Sequence, residues 1–295
     1  MRQFFLMSAA ATLALTAGPA CAQAQAPAVT IKVEQVGPGV AVLFGQGGNI
    51  GLSYGEDGNA LIDDQFAPLT DKIKAAVATV DPDPVSFVIN THFHGDHTGG
   101  NENLGKGGSV IVAHDNVRAR LAVEQIRGDR KVPASPKAAL PVVTFAKGLT
   151  LHLNGDDLDV IHVANAHTDG DAIIHFRKAN VLHMGDTFFH KVTLPFIDVA
   201  SGGSIDGAIA AVDTALALAN DQTRIIPGHG PVAARADLAA YGAMLKDIRA
   251  KVAAAKAAGK TVEQVKANNP ATPYEIKNGF ISADEFVEVV YASVR

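Results

Sequence analysis

The sequence predicts a mixed α/β chain built as a four-layer αββα sandwich, two packed sheets with helices on their outer faces. Three observations point to it. Short apolar runs broken by glycine fill the first part of the chain and return in the second; helical periodicities interrupt them in both halves; and histidines and aspartates fall just past the ends of several of these runs. A chain of 295 residues with 47% hydrophobic composition is long enough to bury the core of one such domain.

Residues 1–22 read as a signal peptide: Arg2 is followed by an apolar run over residues 4–17 and then by small residues. The run is shorter than the roughly 20 residues a membrane span requires, so the expectation is cleavage near 22–24, no remaining membrane anchor, and a periplasmic or secreted protein. Cleavage there removes Cys21, the one cysteine. The mature chain then has neither disulfides nor thiolate ligands, and any metal site must use imidazole and carboxylate.

Residues 30–36, 40–44, 49–54 and 60–62 are strand-like and separated by glycines, which predicts an antiparallel meander. Leu69, Ile73, Ala76 and Val77 recur at helical spacing until Asp81-Pro82-Asp83-Pro84 ends them, and residues 85–89 form a buried strand. After a His-rich segment come a strand at 110–113, a helix near 116–126 and a loop holding Pro133, Pro136 and Pro141. Strands resume near Val142, Leu149, Leu158, Ala172 and Val181. Ile205, Ile209, Val212 and Leu216 mark one helix, residues 223–226 a strand, and Leu238, Tyr241, Leu245, Ile248 and Val252 a second helix. Thr261 with Gln264 and Ser282 with Glu285 are capping boxes.

The formal net charge of −5 and the scattered lysines of the C-terminal helical stretches exclude a concentrated basic surface, and with it nucleic acid as a partner. The expected partner is a small-molecule substrate.

The strand at 85–89 leads into Thr91-His92-Phe93-His94-Gly95-Asp96-His97, which places four metal-binding side chains within six residues. In an extended strand His97 would face away from His92 and His94. The segment must therefore turn, and Gly95 supplies the conformational freedom. His167, Asp186 and His229 each follow an apolar run, as ligands held at strand ends would. Nitrogen and oxygen donors alone suit zinc.

The His-x-His-x-Asp-His motif, with Ala166-His167-Thr168, Gly185-Asp186-Thr187 and Pro227-Gly228-His229-Gly230, resembles the metallo-β-lactamase superfamily. The resemblance covers nearly all of residues 30–255. It assigns 29–255 to that domain and leaves 256–295 as a C-terminal helical extension packed on it. It implies two Zn2+ per chain: His92, His94 and His167 on the first, Asp96, His97 and His229 on the second, with Asp186 bridging them or ligating the second. It further implies a hydrolase in which water activated by the metals attacks the carbonyl of a small ester, lactone, thioester or β-lactam, with Asp96 as the catalytic residue that orients the water. Thr91, Asp63 and Asp64 are expected to fix the imidazole tautomers. Phe188, Phe189 and Phe196 are candidates for the cleft wall. His190 is a candidate pocket residue, while His114, His152, His162, His175 and His183 are assigned to structure.

Residues 167–171 and 182–189 are similar to class-B β-lactamases, but the cysteine ligand of their best-known subclass is replaced by Asp186, and Lys191 is displaced from the substrate-binding lysine position. Gly185-Asp186-Thr187 also resembles glyoxalase-type thioesterases, without a basic cluster matching their glutathione-binding residues. The alternatives on the same fold are a mononuclear-iron persulfide dioxygenase and a sulfur-metabolism accessory protein. The full second ligand set argues against the first.

Overall fold

The computed structural model describes residues 29–127 and 130–294; the expected signal peptide lies outside them. The first half runs β1 (Lys32–Gly37), β2 (Val40–Phe44), β3 (Ile50–Ser53), β4 (Asn59–Ile62), α1 (Thr70–Val77), β5 (Val85–Ile89), α2 (Gly95–Thr98), α3 (Asn101–Lys106), β6 (Val110–His114) and α4 (Asp115–Leu121). A hairpin of β7 (Gln125–Arg127) and β8 (Arg130–Val132) follows, then β9 (Val143–Phe145). The second half runs β10 (Gly148–Leu153), β11 (Asp156–His162), β12 (Ala172–Phe176), β13 (Val181–His183), α5 (Ile205–Leu218), β14 (Arg224–Ile226), β15 (Ala233–Ala234), α6 (Arg235–Ala257), α7 (Val262–Lys266) and α8 (Ala283–Ser293).

The glycine-punctuated start forms the antiparallel meander β1 to β4, to which β5, β6 and β9 add in parallel. The second sheet has the order β10-β11-β12-β13-β14-β15. Strand alternation sorts the apolar residues into layers. Val40, Val42, Ile62 and Ile89 of the first sheet meet Val160, Ile174, Phe176 and Ile226 of the second in the inner core. The neighbours Ala41, Leu43, Leu61 and Val88 face outward onto Ile73 and Val77 of α1 and Leu104 of α3. On the opposite side Ile173, Leu182 and Ile225 pack under α5, α6 and α8. These three apolar interfaces define the αββα sandwich.

The C-terminal helix α8 belongs to the outermost of these layers, where Phe286, Val287 and Val290 are fully buried with Val212 of α5 and Leu245 of α6. Its start is held by the Ser282/Glu285 capping box, and α7 by that of Thr261 and Gln264. Phe286→Ala should cost about 3–5 kcal/mol in denaturant unfolding, because a large side chain leaves a void that the flanking helices only partly close. Among the described residues no helix is long and apolar enough to cross a membrane.

Two local expectations need correction. The helix expected near 116–126 stops at Leu121, and residues from 125 join the β7–β8 hairpin. The carbonyls at its end find other partners: Ser135 N–H donates to Leu121 O (2.8 Å) and the Gln125 amide to Arg120 O (2.9 Å), so the helix is closed. Gly95 is not a hinge. It begins the one-turn helix α2, and nothing lies within 4 Å of a Cβ placed there. The turn that brings His97 round is helical, with His94 as the extended residue before it.

Candidate metal centre

The site lies at the ends of strands from both sheets. β5 delivers residues 90–94, α2 carries Asp96 and His97, the loop after β11 carries His167, the turn after β13 carries Asp186, and the loop after β14 carries His229. All seven expected ligands converge in two groups: His92, His94, His167 and Asp186, then Asp96, His97 and His229. Within each group one potential ligand atom per residue lies within 4.8 Å of the others.

Hydrogen bonds around the rim settle which ring nitrogen His92, His94, His97 and His167 present. The Asp63 carboxylate is buried and can only accept. It takes Thr91 N–H (2.8 Å), Thr91 Oγ1–H (2.7 Å) and His97 Nδ1–H (2.7 Å). Thr91, its one proton committed, must accept from His92 Nδ1–H at 3.0 Å. His167 Nδ1–H donates to Phe196 O (2.7 Å) and His94 Nε2–H to Asp198 Oδ2 (3.0 Å). Bare nitrogens of His92, His94 and His167 therefore face inward.

This arrangement fits metal ions. His92 Nε2 is buried with no hydrogen-bond partner, and the bare nitrogens His94 Nδ1 and His167 Nε2 stand 2.9 Å apart, where two lone pairs repel unless a cation or proton lies between them. Donors around a tetrahedral zinc at about 2.0–2.1 Å lie about 3.3 Å from one another. Asp186 Oδ2 is 3.8 Å from His92 Nε2 and 3.6 Å from His167 Nε2. Asp186 Oδ1 is 3.1 Å from His97 Nε2 and 3.4 Å from His229 Nε2. One carboxylate oxygen thus faces each group, the disposition of a bridge. Asp96 Oδ2 completes the second group at 3.3 Å from His229 Nε2 and 3.6 Å from His97 Nε2.

The electrostatics agree. Burial, reinforced by His97, lowers His92, and burial with His94 lowers His167 to about 4, so both stay neutral as ligands must. Burial opposes charge at His97 and His229, but Asp186 overrides it, raising His97 well above its ordinary value and His229 to about 9. Asp96 is brought to about 2: burial pushes it up, and His97 and His229 together more than offset that. The carboxylates thus draw positive charge to the points where cations would sit.

Close backbone packing tightens the cluster. A side chain at Gly228 would collide with the Asp186 carboxylate, and one at Gly48 with the His97 ring. Asn49 holds the His229 loop by donating to Pro227 O (2.9 Å) and Gly230 O (2.8 Å). Arg120 clamps Asp169 through two bonds of 2.7 Å, steadying the loop that begins at His167.

Of the three residues expected to support the imidazoles, Asp63 and Thr91 touch them, whereas Asp64 caps Gly100 N–H (2.8 Å). Asp198, Asn49 and the Phe196 carbonyl escaped the sequence reading. Phe196 lines the cleft, Phe189 stacks on His229 with ring centroids 5.5 Å apart, and Phe188 is core. His190 turns away from the centre, its Nδ1 bonded to Pro231 O (2.8 Å). His183 is buried structure, donating to Asn49 O (3.2 Å), and His114 stacks on His162. Asp63→Asn should lower zinc affinity or turnover about 10–100-fold, because the amide cannot accept from Thr91 and His97 as the carboxylate does; competition with a chromogenic chelator measures the affinity.

Residues 44–229 match the sequence profile of the metallo-beta-lactamase superfamily. A hydroxyacylglutathione hydrolase from a Polaromonas species is 30% identical over 177 residues, 59% of this chain and 58% of that protein, so the match spans little more than half of this relative. A metallo-beta-lactamase from Pontibacter korlensis superposes with a TM-score of 0.60 at 18% identity, over 74% of this chain and 100% of that one. A stereoselective inverting sec-alkylsulfatase from a Pseudomonas species superposes with a TM-score of 0.67 at 17% identity, over 88% of this chain and 50% of that one. At such identities the two structures speak to the fold alone.

Proposed function

The chain belongs to the metallo-beta-lactamase superfamily, and from that premise we propose that it is an exported binuclear zinc hydrolase that cleaves a small ester, lactone, thioester or β-lactam at its carbonyl. The observation that carries the reading is Asp186, with one oxygen turned to each group of histidines. Two complete donor sets support two ions over a mononuclear iron centre. Export rests on the apolar N-terminal run and its small-residue flank.

Zinc held by these residues would lower the pKa of water towards 7 and polarise the scissile carbonyl. The chain's own contribution is orientation. Asp63 and Asp198, through His97 and His94, hold the rings in one tautomer, so that the donors need not reorganise during reaction. Asp96, partly open to the cleft, stays ionised at neutral pH and accepts a hydrogen bond from the attacking water. Phe196 and Phe93 wall the cleft beside His94 and limit bulk water there.

The test is hydrolysis by the purified, zinc-loaded chain of esters, lactones, thioesters and nitrocefin before and after chelation. Chelator-sensitive turnover that returns with zinc is expected. Turnover indifferent to the chelator, or none across the panel, overturns the reading.

A further inference from the structure

The cleft over the metal centre, about 490 Å³, has the candidate ligands His94, Asp96, Asp186 and His229 at its base, and Phe93, Ile126, Phe196, Ala200 and Phe280 form the apolar part of its wall. Phe93 and Phe196 lie at the His94 edge, with ring centroids 4.8 and 5.9 Å from that imidazole. Phe280 lies at the opposite edge, 6.3 Å from His229 and edge-on to it. Ile126 of the β7–β8 hairpin also lines the cleft; it is 74% exposed and Phe280 58%. Such exposed apolar groups around a reactive centre are the ordinary lining of a site for apolar ligands.

No lysine or arginine occurs among the described residues that line the cleft, and the polar positions away from the metal ligands and Asp198 are the neutral Gln125 and Ser201. Arg120, whose guanidinium lies 5.1 Å from the Phe93 ring, is committed to Asp169. Phe280 comes from a segment beyond the 44–229 family match, pinned where Ile281 N–H donates to Thr193 Oγ1 at 2.9 Å. This wall is therefore contributed by the chain's own C-terminal region.

Resting on the hydrolase reading above, we infer that the substrate is a neutral ester or lactone with apolar alkyl or aryl groups flanking its carbonyl, and that Phe280 and Ile126 determine this specificity. Hydrolysis adds water across the C–O bond: the carboxyl carbon keeps the incoming oxygen, and the alcohol oxygen leaves with a proton. A glutathione thioester, with its charged peptide arm, meets no cationic side chain among the described residues of this lining.

The zinc-loaded full chain should be assayed on γ-lactones with alkyl tails from methyl to hexyl, beside S-lactoylglutathione. The value of kcat/KM should rise about two- to four-fold per added methylene until the cleft is filled, and the best lactone should exceed the thioester on the order of 100-fold. Phe280→Ala and, as a second variant, Ile126→Ser should flatten the tail dependence, mainly through KM, with zinc content unchanged. Val142→Ser, an exposed change outside the cleft lining, should keep it. Calorimetric binding of 4-phenylbutan-1-ol supplies a readout without turnover and should weaken about ten-fold in Phe280→Ala. A flat tail profile, or preference for the thioester, overturns the inference while leaving the hydrolase reading in place. If nothing is hydrolysed that reading fails, and the calorimetry alone decides whether the cleft selects neutral apolar ligands.

Discussion

Asp186→Asn should leave the fold intact and reduce kcat/KM on the order of 10³-fold. Its side chain is the one carboxylate shared by both donor groups, with separate oxygens 3.1–3.8 Å from His92, His97, His167 and His229. An amide keeps the shape but loses the charge and offers one oxygen instead of two, so it cannot bridge. The loss corresponds to about 4 kcal/mol of transition-state stabilisation, in the range that a metal ion supplies to a hydrolytic step. Steady-state kinetics with parallel metal analysis checks this: zinc should fall by about one equivalent per chain, with unchanged circular dichroism. Full zinc content and activity within ten-fold of the parent would show that Asp186 does not bridge.

Removing the metals should lower the melting temperature on the order of 15 °C. Each ion present at a thousand times its Kd adds about 4 kcal/mol to the folded state, and about 1 kcal/mol moves the midpoint roughly 2–4 °C in a chain of this size. Positive charge held on His97 and His229 by Asp186 offsets part of the loss. Differential scanning calorimetry before and after dialysis against chelator measures the shift, and restored zinc should reverse it. A midpoint that ignores the chelator would mean that the ligands are held in place by packing alone.

The seven candidate ligands are legible in the sequence because metal chemistry allows few residue types and the strands deliver these residues at their ends. His92, His94, Asp96 and His97 announce themselves by proximity, and His167, Asp186 and His229 by their common position after apolar runs. The sandwich was readable for a related reason: alternation within β2, β12 and β14 sends adjacent residues to different layers. What surrounds the ligands was harder to see. Asp198 reaches His94 across 104 positions of sequence, and Asn49 reaches the His229 loop across 178, with no local pattern to mark either. Phe280 lies in a connecting segment where one aromatic carries no periodicity. Gly95 departs from expectation because a glycine in a turn need not be there for its backbone freedom, whereas Gly48 and Gly228, pressed against His97 and Asp186, leave no room for a side chain. The region after Leu121 departs from the helical pattern because the end of α4 depends on Ser135, fourteen residues on.

Elemental analysis of the purified chain by mass spectrometry shows whether the seven residues form one two-metal centre. About two zinc ions per chain are expected, falling to about one in Asp186→Asn. One iron per chain, or no bound metal after purification without chelator and zinc supplementation, would contradict it.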